Sequence, residues 1–106
     1  MPTRRQFRKP AKVTITVTKT GDFTYDPTLL RVGRRQRVKF VCPSGPHFEV
    51  MFKDQSPGDD LFLSESNRIL TIRPDAPYGV YHYSAAVYNG NRVFIDSACG
   101  DIGVGR

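Results

Sequence analysis

Apolar and polar residues alternate along the chain in short runs, and most runs end at glycine, proline or asparagine. In residues 13–18, apolar side chains alternate with threonine without a break, which is typical of a strand with one buried face. Seven further runs have strand character, at residues 29–32, 37–42, 48–52, 61–63, 69–73, 80–87 and 92–96. No window keeps a helical period. The pattern predicts an all-β chain of about eight strands in an antiparallel sandwich or small barrel.

The dipeptide Asn89-Gly90 lies between the last two predicted strands and indicates a tight hairpin. A three-residue loop at residues 88–90 pairs Tyr83 with Ile95, whereas a two-residue loop pairs Tyr83 with Asp96 and mixes core with solvent positions. Because a slip of one residue reverses every side chain, the consistent three-residue register is predicted. Its apolar face contains Tyr81, Tyr83, Ala85, Val87, Val93 and Ile95.

Positive charge is concentrated in the first part of the sequence. The 106 residues include 16 lysines and arginines against 10 aspartates and glutamates, a formal net charge of +6. Residues 1–39 hold eleven basic and two acidic side chains, a net +9, whereas residues 40–106 hold five basic and eight acidic ones, a net −3. Such an excess bears on the choice of partner and not on the fold.

Two clusters, residues 3–12 and 31–39, hold ten of these eleven basic side chains. Residues 1–11 are predicted to be a basic, flexible N-terminal arm, followed by one β-sandwich domain at residues 12–106. Residues 31–39 are predicted to form and flank a surface hairpin. Both clusters are candidates for binding nucleic acid or another polyanion, or else they keep the domain soluble and its edge strands unpaired. The candidate residues are Arg4, Arg5, Arg8, Lys9, Lys12, Arg31, Arg34, Arg35 and Arg37.

Length and apolar pattern restrict the class of protein. A chain of 106 residues forms one domain around one core, and no apolar run approaches the roughly 20 residues of a membrane-spanning helix. No secretory apolar stretch follows the first residues. The chain as written is therefore expected in the cytoplasm, or in the periplasm or outside the cell if a signal was removed.

The only two cysteines of the sequence, Cys42 and Cys99, do not form a CxxC motif. Free thiols are expected, with one disulfide between them as the alternative.

Several short motifs occur in a recognisable order between residues 23 and 104. Residues 26–33 read DPTLLRVG, residues 38–40 continue that segment, and Gly45-Pro46-His47 opens the next strand. Residues 77–83 read PYGVYHY near the end of the chain. This series resembles the cupredoxins, a family of small blue-copper electron carriers. The resemblance implies a cupredoxin-like Greek-key β-sandwich, with His47 at the position of the first copper-binding histidine.

The resemblance does not extend to the other copper ligands. Blue-copper chemistry uses two histidine nitrogens and one thiolate, usually with a weak axial methionine. The family's thiolate position corresponds here to Ala85, and its second histidine to Tyr88 or a neighbour. No copper and no other cofactor is therefore expected. A non-standard metal site formed by His47, Cys42 and Met51 is the alternative, since imidazole, thiolate and thioether groups all ligate transition metals.

The predicted function is that of a non-enzymatic binding or interaction module. The expected partner is another protein or a second copy of the chain, with His47, Tyr78 and Tyr88 as candidate contact residues. Polyanion binding by the arm and by residues 31–39 is the first alternative, and a metal or redox carrier at His47 is the second.

A catalytic site is not predicted. His82, Ser84 and Asp96 share one face of the predicted hairpin, with His82 directly opposite Asp96. Same-face residues two apart on a strand lie about 7 Å apart, which is too far for the serine–histidine hydrogen bond of a nucleophilic triad. A cross-strand histidine–aspartate pair explains these residues more simply.

Overall fold

Ten strands form most of the chain described by the computed structural model, which covers residues 9–43, 45, 47–89, 91–96 and 99–105. The predicted all-β class is confirmed, and β2 and β10 are additional to the eight predicted strands. None of the described residues forms a helix of the length and apolar character needed to span a bilayer. The strands are β1 (Ala11–Val17), β2 (Phe23–Asp26), β3 (Leu29–Gly33), β4 (Arg37–Val41), β5 (His47–Phe52), β6 (Phe62–Ser64), β7 (Ile69–Thr71), β8 (Gly79–Asn89), β9 (Arg92–Ile95) and β10 (Gly100–Gly105).

The strands belong to two sheets that pack against each other. Sheet 1 has the order β2-β1-β4-β7, and sheet 2 has the order β3-β10-β8-β5-β6, with β9 paired to β8. Both sheets are mixed, because β1 pairs with β4 and β3 pairs with β10 in parallel. The expectation of an antiparallel sandwich is therefore wrong in this respect. Strands that follow one another often lie in opposite sheets, so strands distant in sequence become neighbours.

The core is built from the alternating side chains that the sequence pattern predicts. Every second side chain of β5 is buried, and Val38 and Phe40 of β4 are fully buried. Tyr83 of β8 lies at the centre, where its ring makes edge-on contacts with Tyr25, Phe40 and Phe52 at centroid distances of 5.2–5.8 Å. Such contacts between aromatic rings stabilise a core beyond the area that they bury.

The predicted hairpin at residues 31–39 does not exist. β3 lies in sheet 2 beside β10, and β4 lies in sheet 1 between β1 and β7, so the connection passes from one sheet to the other. Val32 of β3 and Val38 of β4 are both buried. The two strands face the same core from opposite sides, which a hairpin within one sheet would not allow. The turn contains Arg35 at a φ of 70°, and its N–H donates to the Ile72 carbonyl at 2.9 Å.

The predicted register of the β8–β9 hairpin is also wrong. Ala86 pairs with Ile95 and Tyr88 pairs with Val93, so neither of the registers considered from the sequence occurs. Ile95 and Val93 point outward and are 73% and 55% exposed. Phe94 takes the inward position instead and packs against the core, because its ring is the largest apolar group of β9. The predicted position of Gly90 lies outside the described residues.

β9 and β10 lie along the same side of β8, with an offset between them. The Asp96 N–H donates to the Ala85 carbonyl at 3.0 Å, whereas Gly100 pairs with Tyr83. The four-residue step from Asp96 to Gly100 therefore lies beside a step of only two residues on β8, from Ala85 to Tyr83. β10 therefore starts a new register beside the central part of β8.

Candidate functional site

The parallel pairing of β1 with β4 joins the two basic clusters of the sequence. Lys12 is the direct partner of Lys39, and Ala11 is the partner of Val38. The next residue on each strand, Val13 after Lys12 and Phe40 after Lys39, points to the inner face and is fully buried. Lys12 and Lys39 therefore share the outer face of sheet 1, and Arg37 of β4 lies on the same face. This patch of Lys12, Arg37 and Lys39 is called the basic face below.

The other predicted polyanion-binding residues lie elsewhere. Arg31 points outward from β3 in sheet 2, and Arg34 and Arg35 belong to the connection between the sheets. The Arg34 Nε donates to the Ala76 carbonyl at 2.8 Å, and its guanidinium lies 4.1 Å from the centre of the Tyr78 ring. Lys9 is exposed beside the start of β1. The remaining candidates in the arm, Arg4, Arg5 and Arg8, lie outside the described residues.

The positions that correspond to the copper ligands of the cupredoxins lie where β5 meets β8. His47 pairs with Tyr88, and Val50 pairs with Ala85. Ala85 is only 2% exposed, and its methyl group cannot ligate a metal. Tyr88 donates its hydroxyl to Glu49 Oε2 at 3.1 Å. The residues present do not fit a blue-copper ion, because a thiolate and a second histidine are both replaced.

His47 is held by a carboxylate on a neighbouring loop. Its Nδ1 lies 3.3 Å from Glu65 Oε2, and the Phe48 N–H donates to the other carboxylate oxygen at 3.2 Å. Hydrogen bonds from the Glu65 backbone, from His47 and from Phe48 lower the pKa of the Glu65 carboxyl. The hydrogen bond to Glu49 raises the pKa of Tyr88. His47 and Tyr88 are therefore neighbours in a polar setting on the outer face of sheet 2.

The alternative donor set of His47, Cys42 and Met51 is not brought together on one face. The His47 side chain is 70% exposed on the outer face, whereas Cys42 belongs to the buried core at 6% exposure. Met51 points outward four residues along β5. Tyr78 is likewise separated from the other candidate contact residues, because it precedes the start of β8 while Tyr88 lies near its end.

A different group of donors converges on the outer face of sheet 2. His82 pairs directly with Asp101, and its Nδ1 lies 2.6 Å from Asp101 Oδ1. The predicted partner, Asp96, instead accepts a hydrogen bond from Tyr25 at 2.6 Å. Cys99 lies beside this pair, two residues before Asp101. Cys99 and Asp101 are two residues apart, so their side chains share a face if residues 99–101 are extended. The spacing alone could not reveal this cluster, because no strand was predicted there.

Comparison with known proteins shows similarity in structure but not in sequence. No protein-family model and no curated protein matches the chain. A pseudoazurin from Sinorhizobium superimposes with a TM-score of 0.56 at 18% identity, over 91% of this chain and 75% of that one. An oxidised plastocyanin from the fern Dryopteris crassirhizoma and a mutant fern plastocyanin each superimpose with a TM-score of 0.53 at 17% identity, over 90% of this chain and all of the other. The fold is therefore cupredoxin-like, as the motifs predicted.

Proposed function

We propose that this protein is a non-enzymatic binding module on a cupredoxin-like fold and that its ligand is a polyanion carrying phosphate or sulfate groups. The observation that carries the proposal is the parallel pairing of β1 with β4, which aligns Lys12 with Lys39 on the outer face of sheet 1. Lysine side chains on a flat, solvent-facing sheet bind anionic groups as point charges. An electron-carrier role of the blue-copper type has no support from Ala85 and Tyr88.

The alignment of the two lysines is unfavourable without a ligand. Like charges directly opposite each other in a sheet destabilise it. Among the described strand residues that face outward from sheet 1, Asp26 is the only carboxylate. It pairs with Thr14, two residues from Lys12 on β1, and therefore lies opposite neither lysine. An anionic group bound between Lys12 and Lys39 would reduce the repulsion between them.

The position of Lys9 supports the same ligand. Lys9 is exposed and lies two residues before β1, which begins at Ala11. The β-sheet partner of Ala11 is Val38, the neighbour of Arg37. Lys9 therefore precedes the strand that carries Lys12 in the basic face, and several weak phosphate contacts together give useful affinity.

The experiment is a titration of a fluorescent single-stranded oligonucleotide, with heparin as a second polyanion. We expect the wild-type protein to bind at about 50 mM salt and more weakly at about 150 mM salt. A Lys12→Glu/Lys39→Glu double variant is expected to bind at least about tenfold more weakly. Preference for the oligonucleotide over heparin would identify nucleic acid as the source of the phosphate.

The matched control is a Lys19→Glu/Lys53→Glu double variant. Lys19 lies in the β1–β2 turn and Lys53 follows β5, so both are away from the basic face while the change in net charge is the same. The control should keep most of the wild-type affinity. Equal losses in the two double variants would indicate attraction by net charge alone and would overturn the proposed face.

A second candidate function is self-association through β9. Tyr88, Val93 and Ile95 lie on one outer face of the β8–β9 hairpin, and among the described large apolar residues Ile95 is the most exposed at 73%. Among the described strands, β9 is paired only with β8. An antiparallel contact between two β9 strands centred on Phe94 would place Val93 of each copy beside Ile95 of the other, and edge strands readily pair in this way.

Sedimentation velocity over a range of concentrations tests this second function. The wild-type protein is expected to show a concentration-dependent dimer, and Ile95→Lys is expected to be monomeric. Val80→Lys is the control. Val80 is an exposed apolar residue, as accessible as Val93 at 55%, but it faces outward from the opposite end of β8. A wild-type protein that remains monomeric at every concentration would exclude self-association.

A further inference from the structure

We propose that His82, Cys99 and Asp101 form a site for a divalent transition-metal ion, with Zn²⁺ as the expected occupant. The site lies on the outer face of sheet 2, apart from the positions that correspond to the copper ligands of the cupredoxins. It is independent of the basic face on sheet 1. Three chemically different donors, an imidazole nitrogen, a thiolate and a carboxylate oxygen, meet there within 4.8 Å of one another.

The strand register brings the three donors together. His82 of β8 and Asp101 of β10 are direct partners in an antiparallel pair, where side chains on one face stand about 5 Å apart at their Cβ atoms. Cys99 immediately precedes β10 and lies two residues from Asp101. Its Sγ lies 3.9 Å from His82 Nδ1 and 3.7 Å from Asp101 Oδ1.

These distances are close to those of a tetrahedral site. Zinc bonds of about 2.0–2.3 Å to nitrogen, oxygen and sulfur place neighbouring ligand atoms about 3.4–3.6 Å apart. The two distances from Cys99 Sγ exceed that range by only a few tenths of an ångström. The His82–Asp101 distance of 2.6 Å is that of a hydrogen bond. It opens by roughly 0.8 Å when an ion replaces the shared proton.

The arrangement is unsuited to a nucleophilic triad. In such a triad, one ring nitrogen of the histidine contacts the nucleophile and the other contacts the carboxylate. Here Cys99 Sγ and Asp101 Oδ1 both approach the same atom, His82 Nδ1. The imidazole cannot accept the thiol proton at the nitrogen that is bonded to the carboxylate. Three donor atoms within 4.8 Å of one another are instead compatible with a shared coordination sphere.

The backbone beneath the donors is held firmly. Gly100, between Cys99 and Asp101, is buried against the end of the Tyr83 ring, where any Cβ would overlap ring and hydroxyl atoms. Three aromatic neighbours fix that ring. The Tyr83 hydroxyl is fully enclosed and has no hydrogen-bond partner among the described residues. Cys99 and Asp101, on either side of Gly100, are therefore carried by a backbone that can shift little at this point, which favours a preformed site.

The site also has an open position. The side chains of His82 and Asp101 are 49% and 28% exposed, so water or a ligand from solution reaches the point between the donors. Three protein ligands and a solvent molecule complete the four-coordinate sphere that zinc prefers. The mixed nitrogen, sulfur and oxygen donors suit a borderline ion better than Mg²⁺ or Ca²⁺, which take oxygen ligands.

The test is a titration of tag-free, reduced protein with Co²⁺, followed by competition with Zn²⁺. We expect one equivalent of Co²⁺ to give a thiolate-to-cobalt charge-transfer band and the visible bands of a tetrahedral ion, and Zn²⁺ to displace it. Cys99→Ala should abolish the charge-transfer band. His82→Gln should weaken Zn²⁺ binding by about 100-fold or more, since it removes a direct ligand.

Two variants outside the site serve as controls. Cys42→Ala and His47→Gln remove the other described thiol and the other histidine, and both should bind Co²⁺ as the wild type does. His82 is an exposed surface residue, so His82→Gln should fold even if Cys99→Ala does not. Absence of stoichiometric Co²⁺ binding by the wild type, or unchanged binding by His82→Gln, would overturn the proposed site.

Discussion

The hydroxyl of Tyr25 in sheet 1 donates a 2.6 Å hydrogen bond to the carboxylate of Asp96, the residue that follows β9 of sheet 2. The same hydroxyl accepts the backbone N–H of Ala85 at 3.1 Å. Burial raises the pKa of Tyr25, and the hydrogen bond to Asp96 raises it further. This link fixes the end of β9 against the opposite sheet, just before the chain changes register to form β10.

Removal of the Tyr25 hydroxyl should destabilise the protein. Tyr25→Phe leaves the aromatic packing in place but takes one partner from Asp96 and from the Ala85 N–H. The expected loss is about 1–3 kcal/mol of unfolding free energy, measured by urea denaturation near pH 7. Tyr88→Phe is the control, because its hydroxyl bonds to Glu49 at the surface, and it should change stability by less than about 0.5 kcal/mol.

The buried phenols predict a loss of stability in alkaline solution. The pKa of Tyr25 in the folded protein is raised above its ordinary value of 10.0, and burial also raises that of Tyr83. The unfolded chain therefore loses these protons first. The stabilisation is fully present below pH 10 and decreases as the pH rises above it.

Urea denaturation at several values between about pH 8 and pH 11 measures this loss. The unfolding free energy of wild type should fall with a steeper slope above about pH 10 than that of Tyr25→Phe, which retains only Tyr83 of the two. Equal slopes for the two proteins would show that Tyr25 does not titrate differently in the folded and unfolded states.

Gly100 should not tolerate a side chain. A Cβ at this position would overlap Tyr83 at the centre of the core, and overpacking of this kind costs about 1–3 kcal/mol. We expect Gly100→Ala to lower the urea midpoint accordingly. Gly105→Ala, at the end of the same strand, meets nothing within 4 Å and should leave the midpoint almost unchanged. Similar losses for both variants would place the cause in strand propensity instead of contact with Tyr83.

Addition of Cu²⁺ should not produce the intense blue absorption of a cupredoxin. That colour requires a thiolate with two histidines, and Ala85 and Tyr88 stand where the missing ligands would be. Absorption spectra of wild type and Cys99→Ser test this expectation, because any weaker band from the His82 cluster should vanish in the variant. An intense blue band that persists in Cys99→Ser would contradict our interpretation of the Ala85 position.

Local alternation was sufficient to predict most of the strands but not how they pair. β5 follows its pattern of exposed and buried residues along its full length. β10 was missed because Gly100, Gly103 and Gly105 lower strand propensity, although Ile102 and Val104 alternate in the core. The parallel pairing of β1 with β4 depends on which sheet each strand joins, and local pattern carries no such information.

Prediction of the candidate sites depended on strand register even more strongly than prediction of the fold did. The β8–β9 register was decided by Phe94, which turns inward while Val93 and Ile95 are exposed, the reverse of the arrangement that alternation favoured. His82 and Asp101 are 19 positions apart and meet only because β10 pairs with β8 in one particular register. His47 could be singled out from its motif, but its partner Glu65 lies in a loop that no sequence pattern connects to it.

The salt dependence of oligonucleotide affinity tests the proposed polyanion function most directly. Each phosphate contact with a single strand contributes a slope of about −0.7 in a plot of log affinity against log salt concentration. We predict that Lys12→Gln/Lys39→Gln makes this slope shallower by about 1.4, the loss of two contacts, and that Lys19→Gln/Lys53→Gln leaves it unchanged. A slope that is the same in wild type and Lys12→Gln/Lys39→Gln, or no binding at about 50 mM salt, would contradict polyanion binding by the basic face.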